Sequence, residues 1–374
     1  MLFTGPAAVA KASEMIEIAR PWFASTNVHL IANFESAVRQ TRRDERALIA
    51  SRAESEAKIN IAILRLKELG MTVSLYHSDA DFLAGISLDQ VNWAKPVQLA
   101  YSGTKYSAID GVRCLTPILC ELRSIAYTNS GVMGRALGWN KFISTRVLQG
   151  ADIPTPKSWH YRRNEGWKGG VSPSQGIDLI VKNNTEAWAL GVTIDPILHN
   201  PSADDVESRC QEVLEETGLN DLIVQEFVEG PEIYTPVFRL GSDYLCFHPM
   251  EIRIEDKDWS EGTPIGISLN QRQKHVFKRL SDKQLEARVA SLAARAMEEL
   301  EIDILSRMDF RIGQCGVPFL FDMAEVPGLS ADHAVGESLA AAEAPFDGWE
   351  LMMALNVLRT LKTTSNLEAN VPVD

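Results

Sequence analysis

The chain has 374 residues, 45% hydrophobic and 23% charged, a composition that suits about two to three globular domains with a sizeable core. Its formal net charge of −13 argues against a sequence-independent grip on nucleic-acid phosphates, which needs a basic stripe. The same charge would repel polyanionic substrates unless lysines or metal ions gather at one site.

The opening stretch MLFTGPAAVAKASEMIEIAR lacks a basic n-region, and Glu14 and Glu17 interrupt its apolar character, so a signal peptide is not expected. Residues 45–69 carry apolar residues at helical spacing and stop at Gly70. MTVSLY (71–76) and PVQLAYSG (96–103) read as strands, followed by a mixed helical stretch to about Ala126 and a turn at Asn129–Gly131. This alternation predicts a small parallel sheet. Residues 150–176, rich in Gly, Pro and polar residues, read as a separator between strand-like runs. IDLIVK (177–182) reads as a buried strand ending in a lysine, and LIVQEFV (222–228) as another before the turn EGPE. The charged segment 255–278, with Gly262, Pro264 and Gly266, reads as a long mobile loop. Ser281 and Gln284 suggest a capping box opening a helix that stacks Leu285, Val289, Leu292, Ala296 and Leu300 on one stripe. Beyond about Thr363 the tail is expected to fray.

No apolar run reaches the roughly 18 residues that span a bilayer. The five cysteines are scattered, odd in number and never spaced as CxxC, and the seven histidines form no HExxH or HxxxH pair. Reduced thiols in a cytoplasmic protein are therefore expected, with no zinc site and no membrane partner.

The segment LSRMDFRIGQCGVPFLFDMAEVPGL (305–329) is the most informative. Met308, Phe310 and Ile312 alternate with Arg307, Asp309 and Arg311, and Phe319, Phe321 and Met323 alternate with Leu320, Asp322 and Ala324, the period of a strand. A hairpin closing around Cys315–Gly316 sets Asp309 directly across from Asp322, on the face away from the apolar stripe. Like charges at that distance repel, so the pair asks for a cation. Mg²⁺ is bound by carboxylates in this way, with phosphate oxygens completing its shell. The alternative is that Arg307 and Arg311 neutralise the pair on a solvated face. Taken alone, Lys141, Lys182 and the Glu226, Glu229 and Glu232 cluster read as solvated charges. There is no GxxxxGK[ST] loop and no strand–GxGxxG–helix turn, so a nucleotide would need another cradle.

Several short motifs, in order, resemble the D-alanine–D-alanine ligase branch of the ATP-grasp superfamily over about residues 48–335. YSGTKYSAIDGVRCLTPILCELRSIAYTNSGVMGRALGWNKF (101–142) is similar to the family segment that runs to a lysine-bearing helix, keeping Asp110–Gly111 and Ser130–Gly131. VLQGADIPTPKSW, IVKNNTEAWALGVT and VQEFVEGPEI resemble the segments that follow it.

The resemblance implies an α/β (α+β) protein with the ATP-grasp fold of three α/β subdomains. These are an N-terminal Rossmann-like domain over 1–139, a central subdomain over 140–229 and a C-terminal one over 230–374 that carries the metal hairpin, with nucleotide held between the last two. It further implies an ATP-dependent carboxylate–amine ligase that forms an amide bond through an acyl phosphate, using ATP and Mg²⁺ or Mn²⁺. Lys141 and Lys182 would meet the phosphates, with Glu186 the acid of the phosphate loop. Gln225, Glu226, Phe227 and Val228 would hold adenine, and Glu232 the ribose hydroxyls. Asp309 and Asp322 fall on the metal carboxylates, Arg307 on the arginine that steadies the tetrahedral intermediate, and Gly328 on the oxyanion-hole glycine. Small amino-acid or amine substrates and a homodimer are implied as partners.

Departures cluster where the family binds D-alanine. Ala324 stands in place of a metal-ligand asparagine, with Glu325 beside it as the replacement candidate. Trp188 replaces a loop serine, and His333 the serine that anchors the acceptor carboxylate. The long-loop lysine has only Lys257 or Lys274 as substitutes, and the donor-amine acid only Glu54 or Glu56. An amide ligase with substrates other than those of the cell wall is therefore expected. A non-catalytic ATP-binding protein and a genuine D-alanine–D-alanine ligase are the alternatives, and a carboxylase of the same superfamily is a weaker one.

Overall fold

A computed structural model describes residues 1–32, 56–87, 93–102, 114–185, 196–255 and 275–369. Glu54, Asp110–Gly111, Glu186, Trp188, Lys257, Lys274 and the rest of 256–274 lie outside the described residues, while 275–278, expected in the long loop, are strand. Strand β1 (Leu2–Thr4) and helix α1 (Gly5–Ala19) open the chain. The first sheet follows: β2 (Thr26–Ile31), α2 (Glu56–Glu68), β3 (Thr72–Tyr76), α3 (Asp79–Ser87), β4 (Val97–Ser102), α4 (Leu115–Leu122) and β5 (Ala126–Tyr127). Its strands run in the order β3-β2-β4-β5, all parallel, as the strand–helix alternation predicts.

Helices α5 (Val132–Trp139) and α6 (Lys141–Gly150) lead to a second, antiparallel sheet. Its members are β6 (Ser158–Arg162), β7 (Gly166–Trp167), β8 (Leu179–Asn183), β9 (Ile197–Leu198) and β10 (Asp221–Glu226), ordered β7-β6-β10-β8-β9. Helix α7 (Ala203–Thr217) covers one face with Val206, Cys210, Val213 and Leu214. The expected separator over 150–176 therefore holds two strands, β6 and β7. SWHYR is rich in the aromatic residues that strands favour, and this outweighs the Gly and Pro on either side.

The third sheet contains β11 (Glu232–Leu240), β12 (Asp243–Cys246), β13 (Met250–Ile254), β14 (His275–Arg279), β15 (Ile304–Ile312) and β16 (Pro318–Ala324), together with β1. Helix α8 (Lys283–Glu299) buries Val289, Ala293 and Ala296 against it. Its cap differs from the expected box by one residue. Asp282 accepts from the Gln284 and Leu285 amides, because a carboxylate suits the positive end of a helix better than a hydroxyl. Helices α9 (Ala334–Ala341) and α10 (Gly348–Ala369) follow, and α10 runs into the stretch expected to fray as far as Ala369.

Residues 1–25 depart from the expected 1–139 unit. β1 pairs in parallel with β12 of the third sheet, Leu2 opposite Tyr244. Ala8, Ala12 and Ile16 of α1 share one core cluster with Leu351 and Leu355 of α10, with Val28 and Leu99 of the first sheet, and with Phe238 of the third and Phe247 just after β12. Small alanines on α1 let the helices approach closely, and the cluster ties the two sheets through α10.

A polar network interrupts the first sheet. Asn27, His29 and Gln98 are buried side by side on adjacent strands. The His29 ring bonds Gln98 Oε1 through Nε2 (2.9 Å) and the Tyr76 hydroxyl through Nδ1 (3.1 Å). Burial holds the ring below its ordinary value near 6.5, although the Gln98 bond acts the other way. The unfolded chain protonates this ring near 6.5 and the folded one only at lower pH, so stability is complete above about 6.5 and declines as pH falls below it. Thermal melts between about pH 7.5 and 5.5 are expected to show that decline, and His29→Gln to flatten it.

Candidate active site

The β15–β16 hairpin forms as the alternation predicts, and Asp309 lies directly opposite Asp322. Met308, Phe310 and Ile312 are buried in the core beneath it. The register shifts immediately after this pair, so that Phe310 faces Leu320. This bulge corrects the expected alternation of the second strand. Leu320 and Met323 both reach the core, and Phe321 turns to the carboxylate side, where its ring lies 5.2 Å from Lys182 Nζ and 5.7 Å from the Arg311 guanidinium. Bulges re-aim side chains in this way.

Among the described residues, four cations surround the pair. Arg307 grips Asp309 in a two-point contact, Nε to Oδ1 at 2.7 Å and Nη2 to Oδ2 at 2.6 Å. Its guanidinium stacks 3.9 Å from the centre of the Tyr234 ring. Lys141, the first residue of α6, approaches Asp322 to 2.9 Å. Lys182 comes in from β8 and donates to the Phe321 carbonyl at 3.5 Å. It is 9% exposed, which corrects its reading as a solvated charge. Arg311 pairs with Glu232 at 2.9 Å and packs 4.8 Å from the Phe227 ring.

The two aspartates are separated electrostatically. Burial pushes the Asp309 carboxyl up, against the pull of Arg307. Burial acts on Asp322 in the same sense, yet Lys141 and Lys182 hold it below the ordinary carboxylate range. Burial also lowers the Lys182 ammonium to about 8, with Lys141 adding to the shift and Asp322 opposing it. An anion arriving here would raise that value again, since a nearby negative charge favours the ammonium form.

The expected hinge residues lie at the junction of the second and third sheets. Gln225 is buried and donates to Ser158 Oγ at 3.1 Å, so its side chain is committed within the sheet. The Glu226 amide donates to Lys157 O at 2.9 Å and the Phe227 amide to Asp178 O at 2.8 Å. The Val228 carbonyl accepts from Arg311 at 3.4 Å. Gly230 then makes the turn at φ +139°, where a Cβ would lie 1.9 Å from the Ile312 carbonyl oxygen, so only glycine fits. Gly328 and His333 are brought together, since a Cβ on Gly328 would come within 2.5 Å of the His333 ring.

Glu325 does not join the aspartates. It is buried and paired with Arg135 of α5 at 2.9 Å. Among the described residues no group of three His, Cys, Asp or Glu side chains is placed to hold a metal ion. Asp309 and Asp322 still offer the hard oxygen donors that suit Mg²⁺, whose protein ligands are commonly one or two carboxylates with phosphates supplying others. Sequence reasoning missed Arg135, Tyr234 and Asn184; a lone arginine in GRALGW carries no local signal of a partner about 190 positions later.

The comparisons with known proteins bear on the fold. No family model matches the chain. It is 24% identical over 240 residues to a D-alanine–D-alanine ligase of Pelotomaculum thermopropionicum, covering 61% of this chain and 70% of the relative. With the corresponding ligase of Paraburkholderia phytofirmans the identity is 27% over 236 residues, covering 59% and 67%. Among solved structures, D-alanine–D-alanine ligase from Bacillus anthracis complexed with ATP superposes with a TM-score of 0.64 at 16% identity, covering 91% of this chain and 99% of that one. The ligase from Coxiella burnetii gives a TM-score of 0.61 at 13% identity, covering 92% and 97%. The chain has the ATP-grasp fold. In sequence and in fold it is similar to the D-alanine–D-alanine ligases. Among the described residues no helix is long and apolar enough to cross a membrane.

The Glu325 contact carries a stability prediction. Glu325→Gln leaves Arg135 as a buried charge without its carboxylate, a loss expected to cost about 3–5 kcal/mol in denaturant unfolding. Adding Arg135→Met is expected to recover part of it.

Proposed function

We propose that this protein is an ATP-dependent carboxylate–amine ligase that joins amino-acid-like substrates, with substrates other than those of cell-wall D-alanine ligation. The carrying observation is the convergence of Lys141, Lys182 and Arg307 on the facing carboxylates Asp309 and Asp322 from α6, β8 and the hairpin itself. The relatives' names and the fold supply the reaction class.

In this reading Asp309 and Asp322 hold Mg²⁺, which when bound neutralises phosphate charge. Lys141 and Lys182 take the nucleotide phosphates, releasing Asp322 from its present ion pair. Glu232 meets the ribose, and Glu226 with the Phe227–Val228 backbone borders the adenine; Glu186 belongs to the phosphate loop. Gln225 serves from behind, since its amide is held by Ser158. The donor carboxylate takes the γ-phosphoryl group from ATP, with ADP leaving, and becomes an acyl phosphate; the acceptor amine attacks its carbonyl carbon, loses a proton and expels phosphate to leave the amide. The protein's part is positioning and charge neutralisation. Arg307 and the Gly328 amide steady the tetrahedral oxyanion, a contribution of about 3–4 kcal/mol per donor. His333, against Gly328, faces the acceptor. The larger ring in place of a serine, together with Trp188, supports a different acceptor pocket.

A second reading, ATP binding without catalysis, draws on Ala324. It lies opposite Arg307 in the hairpin and brings no ligand.

The test is incubation with ATP, Mg²⁺ and pairs drawn from L- and D-amino acids and related amines, with phosphate release and product mass followed together. A pair yielding one phosphate per product, at the mass of both substrates less water, is the expected result. Arg307→Ala is expected to cut the rate on the order of a hundredfold or more with nucleotide binding retained. Robust D-alanyl-D-alanine formation would overturn the substrate assignment. Turnover appearing only in Ala324→Asn would favour the non-catalytic reading.

A further inference from the structure

The two expected phosphate lysines come from different elements. Lys141 starts α6, and Lys182 lies in β8 of the second sheet. Their common approach to Asp322 requires that these elements be held in a set relation. Asn184, two residues after Lys182 and fully buried, makes that connection. Its carbonyl accepts from the Lys141 amide at 3.1 Å, and its Oδ1 accepts from the Phe142 amide at 2.8 Å. The first amides of a helix have no partner within the helix. Here two of them are satisfied from the end of β8, and a third, Ile143, by Asn140 Oδ1 at 3.0 Å.

The Asn184 amide has little freedom to turn. Its Nδ2 donates to Asn140 Oδ1 at 3.1 Å and to Asp221 Oδ2 at 2.9 Å, and its main-chain N–H donates to the Asp221 carbonyl at 3.2 Å. Asp221 also takes a hydrogen bond from His160 Nε2, and the His160 ring stacks on Phe142 with centroids 4.8 Å apart. The chain of contacts closes on itself: Phe142, His160, Asp221, Asn184 and back to Phe142. A swing of either lysine-bearing element breaks several hydrogen bonds at once, which couples them more strongly than one contact would.

We propose that Asn184 is a positioning residue that sets the spacing of Lys141 and Lys182, with Asp221 orienting its amide, so that the two ammonium groups present a preformed receptor for a polyphosphate. This rests on the nucleotide reading of the site. It assigns Asn184 no contact with the nucleoside, and so separates phosphate affinity from nucleoside affinity.

The experiment is calorimetric titration of the full chain with Mg-ATP and, separately, adenosine, for the wild type, Asn184→Ala, Asn184→Asp, Asp221→Asn and the exchange pair Asn184→Asp with Asp221→Asn. Asn184→Ala is expected to weaken Mg-ATP on the order of tenfold or more while changing adenosine by less than about twofold, and Asp221→Asn to act in the same direction with a smaller loss. The exchange pair is expected to bind Mg-ATP more tightly than Asn184→Asp alone, because a donor and an acceptor again face each other. A merely structural role would weaken both ligands in parallel; parallel losses, or none, overturn the proposal while leaving the nucleotide reading in place. A wild type that binds adenosine and ATP equally, or neither, overturns both. If Asn184→Ala does not fold, Asp221→Asn carries the same comparison with Asn184 retained.

Discussion

Two carboxylates facing each other across paired strands are the constraint on which this structure turns. Asp309 and Asp322 cannot share that position without compensation, and the surrounding fold can be understood as the means of delivering it. Arg307 comes from the same strand two residues away, Lys141 from the start of a helix, and Lys182 from another sheet. Each brings a positive charge into a partly dry site, where desolvation makes the interactions stronger and an unmatched charge more costly. The balance is uneven, with Asp309 pushed up by burial and Asp322 held down by two lysines. The second carboxylate is thus the readier one to be ionised while those two lysines face it.

The bulge between the pair and the hairpin turn is the second element of that design. By taking Phe321 out of the core alternation, it supplies an apolar and aromatic floor for Lys182 and Arg311. Arg311 in turn holds Glu232 and touches the Val228 carbonyl, so the hairpin is connected to the junction that leads from the second sheet into the third. Gly230 makes this junction tight, since its backbone passes against the Ile312 carbonyl. Charge at the centre and shape at the edge are therefore properties of one continuous set of contacts.

The departures from the ligase pattern have physical correlates of different kinds. Glu325 is accounted for by Arg135: the two form a buried pair that joins α5 to the exit of the hairpin. Arginine and glutamate at these two places form a mutually dependent pair, since losing either leaves the other's buried charge without that partner. His333 lies against Gly328, whose missing Cβ leaves room for the ring, so packing rather than charge pairing sets its place.

Much of this was present in the chain itself. The hairpin, its register at the aspartates and the outward direction of Arg307, Asp309 and Arg311 follow from a two-residue period and a turn sequence, which are local properties. So do the parallel first sheet and the buried stripe of α8. What local pattern cannot convey is partnership at a distance. The pairing of β1 with β12, the burial of Lys182, the Arg135–Glu325 contact and the bridge from Asn184 to the start of α6 each join residues far apart in sequence. Their side chains look like ordinary polar residues until packing removes the water around them. Tertiary structure alone decides which of them meet, because the cost of burying a polar group is set by the partner it finds there.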